Sequence, residues 1–218
     1  MDQNIVTQPK CSEADAVTAE MSPKRRQVVE AAETLFFANG YGAVSMDQIA
    51  RTAGVSKATL YAYFPSKDAL FAHIVATKGA DSPLSCDLFP DDVADLRATL
   101  EDIGGRILKF MLLDRTLAIY RIALAESGRF PELGRAFYQN GPQQFATRFQ
   151  TWLGHLQSQG LVKVPDLALA THQFMALMRC GVFFRRSLSL PPEPSELEIN
   201  QTIAAAAETF LRAYAVNS

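Results

Sequence analysis

Residues 49–60 read Ile-Ala-Arg-Thr-Ala-Gly-Val-Ser-Lys-Ala-Thr-Leu, which is the pattern of two short helices joined at Gly54. Glycine adopts a left-handed backbone conformation at little cost, and a steep turn between two helices requires that conformation. The small Ala50 lets the helices approach closely, while Ile49 and Leu60 are placed to fill the core between them. The pattern predicts a helix-turn-helix whose second helix enters the major groove of DNA.

The flanking sequence divides into further helices, because serines able to cap a helix alternate with helix-ending residues. Four helices are predicted to begin at Ser22, Ser45, Ser56 and Ser66 and to end near Asn39, Ala53, Phe64 and Lys78. Five longer helical segments are predicted near residues 91–113, 115–126, 131–156, 166–187 and 196–215. Gly141-Pro142 should kink the third of these long segments.

The predicted fold is therefore all-α. Residues 1–21 are polar and aperiodic and are interpreted as a flexible tail. An N-terminal three-helix helix-turn-helix domain lies within residues 22–78, and its following helix leads to a linker at 79–90. Residues 91–218 are expected to form a second, helical domain for ligand binding and dimerisation. No run of alternating apolar and polar residues indicates a sheet.

Composition describes an ordinary globular chain, with 48% hydrophobic and 20% charged residues and a net charge of −2. The charge is unevenly distributed. Residues 22–80 contain seven Lys or Arg and four acidic residues, a net charge of +3 that leaves −5 for the remainder. The positive charge thus coincides with the predicted DNA-binding segment.

The three cysteines, Cys11, Cys86 and Cys180, are far apart and form no CxxC pair. The sequence therefore predicts neither a metal site nor a disulfide framework, and a reducing cytoplasm fits this cysteine usage. The most apolar stretch, residues 167–184, is short and interrupted by polar residues such as Arg179. We expect a buried helix there, not a membrane span.

An ordinary pair of packed helices would use the same apolar residues, but two observations favour DNA binding. Lys24, Lys57 and Lys67 each lie in the first turn of a predicted helix, where the helix dipole disfavours a cation unless an anion such as phosphate is near. Tyr61 and Tyr63 follow on the short third helix, and their hydroxyls can donate to phosphate oxygens.

Residues 22–75 resemble the DNA-binding domain of the TetR family, and the remainder resembles the AefR-type C-terminal domain of that family. The first resemblance is carried by AAETLF (31–36), GY (40–41), SMDQIA (45–50), AGVSKATLY (53–61) and YFPSKDAL (63–70). The second is carried by FPEL (130–133) and FY (137–138).

The resemblance implies a homodimer that binds a double-stranded DNA operator and is released by a small hydrophobic ligand. It further implies which residues meet DNA: Lys57, Ala58 and Thr59 at the groove edge, and Ser45, Tyr61, Tyr63 and Lys67 at phosphates. Alanines 58 and 62 can at most touch a thymine methyl, so readout of DNA shape should supplement direct contacts.

The C-terminal segment carries no pattern typical of an enzyme or of a cofactor site. The histidines at 73, 155 and 172 lack metal-ligand spacing, and no G-x-S-x-G or glycine-rich phosphate loop occurs. Most of its many aromatic side chains should fill the core. If a ligand pocket lies among them, its polar groups are expected to be Tyr120, Trp152, His172 and Gln173.

The last two helical segments predict the dimer surface, because their apolar faces require cover on more than one side. The predicted faces are Met175, Met178, Gly181 and Val182 on one segment and Ile203, Ala206, Ala207, Phe210 and Tyr214 on the other. The leading hypothesis is a ligand-responsive repressor. The alternatives are a DNA-binding dimer without a ligand, acting as activator or architectural factor, and an enzyme on a helical scaffold.

Overall fold

The computed structural model describes residues 21–80 and 88–216 of the chain. These residues form eleven α-helices: α1 (Pro23–Asn39), α2 (Met46–Thr52), α3 (Lys57–Tyr63), α4 (Lys67–Ala80), α5 (Leu96–Leu112), α6 (Asp114–Glu126), α7 (Pro131–Asn140), α8 (Pro142–Ser158), α9 (Leu167–Met178), α10 (Val182–Ser187) and α11 (Glu196–Tyr214). The described residues contain no strand, only an isolated bridge between Val162 and Ala215. The predicted all-α class is confirmed.

Serine side chains start the first helices as the sequence predicts. The hydroxyl oxygens of Ser22 and Ser56 accept hydrogen bonds from backbone N–H groups three residues ahead, at 3.3 and 3.1 Å. Ser45 forms a capping box with Gln48, in which each side chain accepts from the other residue's backbone N–H. These caps satisfy amide groups that have no partner inside their own helix.

Two long predicted segments are each divided into two helices. The predicted kink at Gly141-Pro142 separates α7 from α8. The prediction of one helix over 166–187 is wrong, because the chain turns between Met178 and Val182. Gly181 has a φ of +49° there, a left-handed conformation that ends the regular helix.

Some predictions fall on parts of the chain outside the described residues. The predicted tail at 1–21, which contains Cys11, lies outside the described residues except for Met21. Cys86 lies outside them too. The linker predicted at 79–90 begins too early, because α4 continues to Ala80. The domain boundaries themselves stay predictions.

The helices enclose two apolar cores. The first is built from α1–α4 and the α1–α2 turn, and it is completed by Ile119 and Ile122 of α6 and Leu133 of α7. Side chains of the C-terminal helices therefore close the core of the helix-turn-helix segment. A segment of some 60 residues buries little apolar surface alone, so this cover contributes to its stability.

The second core lies among α5, α6 and α8–α11. It contains most residues that the sequence assigned to a dimer surface, including Met178, Val182, Ile203, Ala206, Ala207 and Phe210. That assignment is wrong, because helices of the same chain cover these side chains. Apolar periodicity shows that a face is buried, but not whether its own chain or a second copy buries it.

Across residues 21–80 and 88–216, none of the helices combines the length and the apolar character needed to cross a membrane. In the same two stretches, no three His, Cys, Asp or Glu side chains are grouped so that they could hold a metal ion.

Gly54→Ala should lower the free energy of unfolding by about 1 kcal/mol, because Gly54 has a φ of +66° and an alanine is strained in that conformation. An added methyl group would meet no atom within 4 Å, so crowding does not contribute. Gly128 offers equally open space without a positive φ and provides the matched control. Urea denaturation of both variants measures the difference, and equal effects would contradict this explanation.

Candidate nucleic-acid interface and ligand cavity

The turn between α2 and α3 sets the direction of α3. After α2, the Val55 N–H donates to the Ala50 carbonyl at 3.0 Å, around the left-handed Gly54. Ile49 and Leu60 are fully buried between the helices. The opposite side of α3 therefore faces away from the core.

That outer side of α3 carries Lys57, Ala58, Tyr61 and Ala62, all of which are exposed. Their spacing, two adjacent residues repeated after four, places them on one helical face. The predicted contact residues Lys57, Ala58 and Tyr61 thus lie together. Thr59 is half-buried, and its hydroxyl is hydrogen-bonded to that of Ser56 at 2.8 Å.

Tyr63 connects this face to the start of α1. Its hydroxyl accepts a hydrogen bond from Ser22 at 3.0 Å, so the first turn of α1 lies beside the end of α3. Lys24 and Arg26, both exposed, lie within about one turn of this contact. The unusual cation in this turn is visible in the sequence, but Lys24 and Arg26 are not among the predicted DNA contacts.

Lys57 and Asp47 form an ion pair across the site, with Nζ 2.6 Å from Oδ2. More than half of each side chain is exposed, so the pair contributes little to stability. The pair holds the Lys57 ammonium group over the start of α2.

Ser45 is exposed at the start of α2, but its hydroxyl group already forms hydrogen bonds with Gln48. The oxygen accepts from the Gln48 N–H at 3.2 Å, and the hydroxyl group donates to Gln48 Oε1 at 2.9 Å. A phosphate contact through this hydroxyl would require its hydrogen to rotate away from Gln48 Oε1.

Lys67 has a structural function that the sequence did not predict. Its ammonium group donates to the carbonyl oxygens of Tyr41 at 2.9 Å and Val44 at 2.8 Å, and it lies over the Tyr41 ring at 4.2 Å. Burial lowers the pKa of Lys67, and nearby Asp68 opposes this. The inference that only an anion explains this cation is wrong, because two carbonyls do. One N–H donor remains for a phosphate.

A cavity of about 100 Å³ lies between the two cores. Val75 of α4, Ile107 of α5, Tyr120 of α6 and Phe137 of α7 line it. Arg179, which follows α9, adds a basic residue to the lining. The cavity is therefore bounded by the helix that follows the DNA-binding motif as well as by the C-terminal helices.

Of the predicted pocket residues, only Tyr120 lines this cavity. Trp152 is buried in the second core, where its indole N–H donates to the Pro90 carbonyl at 2.9 Å. His172 and Gln173 are exposed on α9, and Gln173 accepts a hydrogen bond from Tyr214. Trp152 on α8, and His172 and Gln173 on the exposed side of α9, therefore lie outside this cavity.

Comparison with protein families matches both halves of the chain. Residues 28–74 match bacterial regulatory proteins of the tetR family, and residues 98–216 match the C-terminal domain of AefR-like transcriptional repressors. The chain belongs to the TetR family. It is a transcriptional regulator with a DNA-binding helix-turn-helix, as the sequence resemblance predicted.

Individual curated relatives match only part of this chain. The regulator SrpR of Pseudomonas putida is 33% identical over 78 residues, which cover 36% of either chain. UidR of Escherichia coli K12 is 36% identical over 61 residues, 28% of this chain and 31% of UidR. This protein thus matches about a third of the length of these two curated relatives.

Solved structures match over nearly the whole chain. The flavonoid-responsive regulator FrrA is 36% identical with a TM-score of 0.76, over 89% of this chain and 98% of FrrA. A TetR-family regulator from Mesorhizobium loti has a TM-score of 0.76 at 23% identity, over 96% of this chain and all of the other, and shows the shared fold.

Lys67→Met should lower the free energy of unfolding by about 2 kcal/mol, because two carbonyl oxygens lose a charged donor. Lys57→Met, the matched variant at the exposed ion pair, should change it by less than about 0.5 kcal/mol. Lys57→Met should instead weaken DNA binding, because it removes a cation from the exposed face of α3. Urea denaturation and DNA titrations from low to moderate salt measure both quantities. A stable Lys67→Met protein would show that the carbonyl contacts contribute little.

Proposed function

We propose that this protein is a repressor that binds a near-palindromic operator as a homodimer and is released by a small hydrophobic ligand in the cavity. The observation that carries this proposal is the position of Val75, which lies on α4 and lines the cavity. A ligand there touches the same helix that packs into the core of the helix-turn-helix. The match to AefR-like repressors supports repression of transcription, not activation.

For the DNA contacts, we propose that Lys57, Ala58 and Thr59 meet the groove edge. Tyr61 and Tyr63, with the remaining donor of Lys67, face the phosphate backbone. The exposed Lys24 and Arg26 beside α3 are proposed as additional phosphate contacts. Because alanines occupy the exposed positions 58 and 62, few hydrogen bonds to bases are available. DNA shape then contributes much of the specificity.

The proposed dimer uses apolar residues that the chain itself leaves exposed. Leu169 of α9, Phe184 of α10 and Leu197 of α11 have exposed fractions of 52%, 64% and 66%. Ala204 and Ala205, also exposed on α11, allow close approach of a second helix. Large exposed apolar side chains on neighbouring helices are typical of an interface. A two-fold axis through these helices pairs two helix-turn-helix motifs.

Polar contacts support the coupling between the two halves. The carboxylate oxygens of Glu33, on α1, lie 2.7 and 2.8 Å from Nη2 of Arg115, on α6. Glu126 at the end of α6 accepts a hydrogen bond from the Gly42 N–H at 3.1 Å. Thr116 and Tyr120 of the same α6 line the cavity. A shift of α6 on ligand binding would therefore displace α1 and the turn after it.

The cavity volume limits the ligand. Pockets for drug-sized molecules are generally 300–1,000 Å³, so about 100 Å³ fits only a small ligand unless the aromatic lining moves apart. FrrA is named as flavonoid-responsive, and a compound of that size would require such an expansion here. The small volume also favours the second candidate, a DNA-binding dimer that acts as activator or architectural factor without a ligand.

Selection of bound fragments from genomic DNA, followed by footprinting, tests the proposal. We expect a near-palindrome protected by a dimer, with half-sites about 34–36 Å apart. Small hydrophobic compounds should then weaken operator binding by about 5- to 150-fold. A single asymmetric half-site bound by a monomer would exclude the dimer model. Operator affinity unchanged across the compounds would favour the ligand-free alternative.

Glu33→Gln should reduce the response to the most effective of these compounds, because it weakens the link between α1 and α6. The expected result is ligand binding within about twofold of the wild type, with a several-fold smaller change in operator affinity. Glu208→Gln, which removes a carboxylate paired with Arg97 inside the C-terminal half, is the control. Calorimetry and operator titrations with and without the compound measure the two effects. An identical response in both variants would argue against this relay.

A further inference from the structure

The guanidinium group of Arg179 is the unusual feature of the cavity. Its Nε atom is buried without a hydrogen-bond partner. Among residues 21–76 and 88–216, no ion pair or hydrogen bond of this side chain is observed. Arg179 is half-buried, and a buried guanidinium nitrogen without an acceptor is costly, so such a group usually has a partner in the functional state.

Two other arginines have a buried, unpaired Nε but differ in their surroundings. Arg185 donates through Nη2 to Glu198 at 2.9 Å. Arg25 lies over the Phe64 ring at 5.3 Å. Each of these two cations has a compensating neighbour, whereas the neighbours of Arg179 in the cavity are mainly apolar.

No acidic side chain among the described residues that line the cavity could neutralise Arg179. This lining consists of apolar and aromatic side chains with the polar Thr116, Tyr120 and Asn140. Burial lowers the pKa of Arg179, and Tyr120 partly opposes this. The Asn140 side-chain amide donates one N–H to the Ala136 carbonyl at 2.8 Å.

From this arrangement we infer that the cavity takes an anionic ligand, a small carboxylate with an apolar body whose charged group pairs with Arg179. A planar guanidinium presents two parallel N–H donors, which match the two oxygens of a carboxylate. The apolar body lies against side chains such as Phe137 and Phe183. The same charge repels cationic compounds. This inference rests on the proposed function only in assigning a ligand to that cavity.

The position of Arg179 gives the anion a structural consequence. Arg179 caps the end of α9, and the left-handed Gly181 follows before α10 begins. An anion held there would connect the α9–α10 break to α6 through Tyr120, which also lines the cavity. Binding would thus act on the helix that contacts α1 through Arg115.

Calorimetric titration of the full-length protein with benzoate, phenylacetate and octanoate tests the inference. Benzamide, benzyl alcohol and benzylamine are the neutral and cationic comparisons. We expect the carboxylates to bind at least about tenfold more tightly than the neutral compounds, and benzylamine not to bind. Carboxylates bound no better than benzamide or benzyl alcohol, or not bound at all, would overturn the inference.

Variants identify the side chain responsible. Arg179→Met should weaken carboxylate binding roughly 10- to 100-fold while leaving benzyl alcohol binding unchanged. Arg179→Lys, which keeps the charge but not the bidentate geometry, should give an intermediate loss. Arg135→Met removes an exposed arginine from α7 and should have no effect. Unchanged carboxylate binding in Arg179→Met would refute the assignment. If that variant does not fold, the relative affinity of the wild-type protein for benzoate and benzamide tests the inference.

Operator titrations separate this inference from the proposed function. Carboxylates that bind through Arg179 but leave operator affinity unchanged would support the anion site and contradict ligand release. Neutral compounds that release the operator equally from wild type and Arg179→Met would support release and contradict the anion site.

Discussion

Ile119, Ile122 and Leu133 belong to the C-terminal helices, yet they are buried in the core of α1–α4. The short helices of the DNA-binding motif bury too little apolar surface to hold their geometry alone. Their packing therefore depends on α6 and α7, and so does the direction in which α3 is presented. The cavity lies directly behind this contact, with Ile119 in its lining as well. The helix-turn-helix core and the proposed ligand cavity therefore share side chains, so no chain of contacts between distant sites is needed to couple them.

Features governed by neighbouring residues were predictable from the sequence. The serine caps at Ser22, Ser45 and Ser56 act over three residues, and Gly54 acts through its own backbone angle. These local preferences place the helix starts and the turn correctly. The sequence does not predict the division of the segment 166–187, because apolar residues continue across the break. A single glycine among them does not by itself indicate the end of a helix.

Features governed by distant residues were not predictable in the same way. The carbonyl groups that bind Lys67 belong to Tyr41 and Val44, which precede it by 26 and 23 positions. No local sequence pattern predicts contacts over such a separation. Trp152, His172 and Gln173 were chosen as polar or amphipathic residues on helical segments, but the packing of α8 and α9 decides which side faces the cavity. Arg179 was noted only as an interruption of an apolar stretch. Its lack of a partner becomes visible only when its neighbours are known.

The ion pair between Lys57 and Asp47 affects how the protein would search a chromosome. A phosphate that approaches Lys57 meets a carboxylate already in place, 2.6 Å from the ammonium group. If Lys57 meets DNA as proposed, contact with DNA of arbitrary sequence would have to displace this carboxylate and would gain less than a free lysine provides. Non-specific sites outnumber an operator by many orders of magnitude. Weakening each such encounter would shorten the time spent there. A surface ion pair that adds little stability would then raise the fraction of regulators free to find the operator.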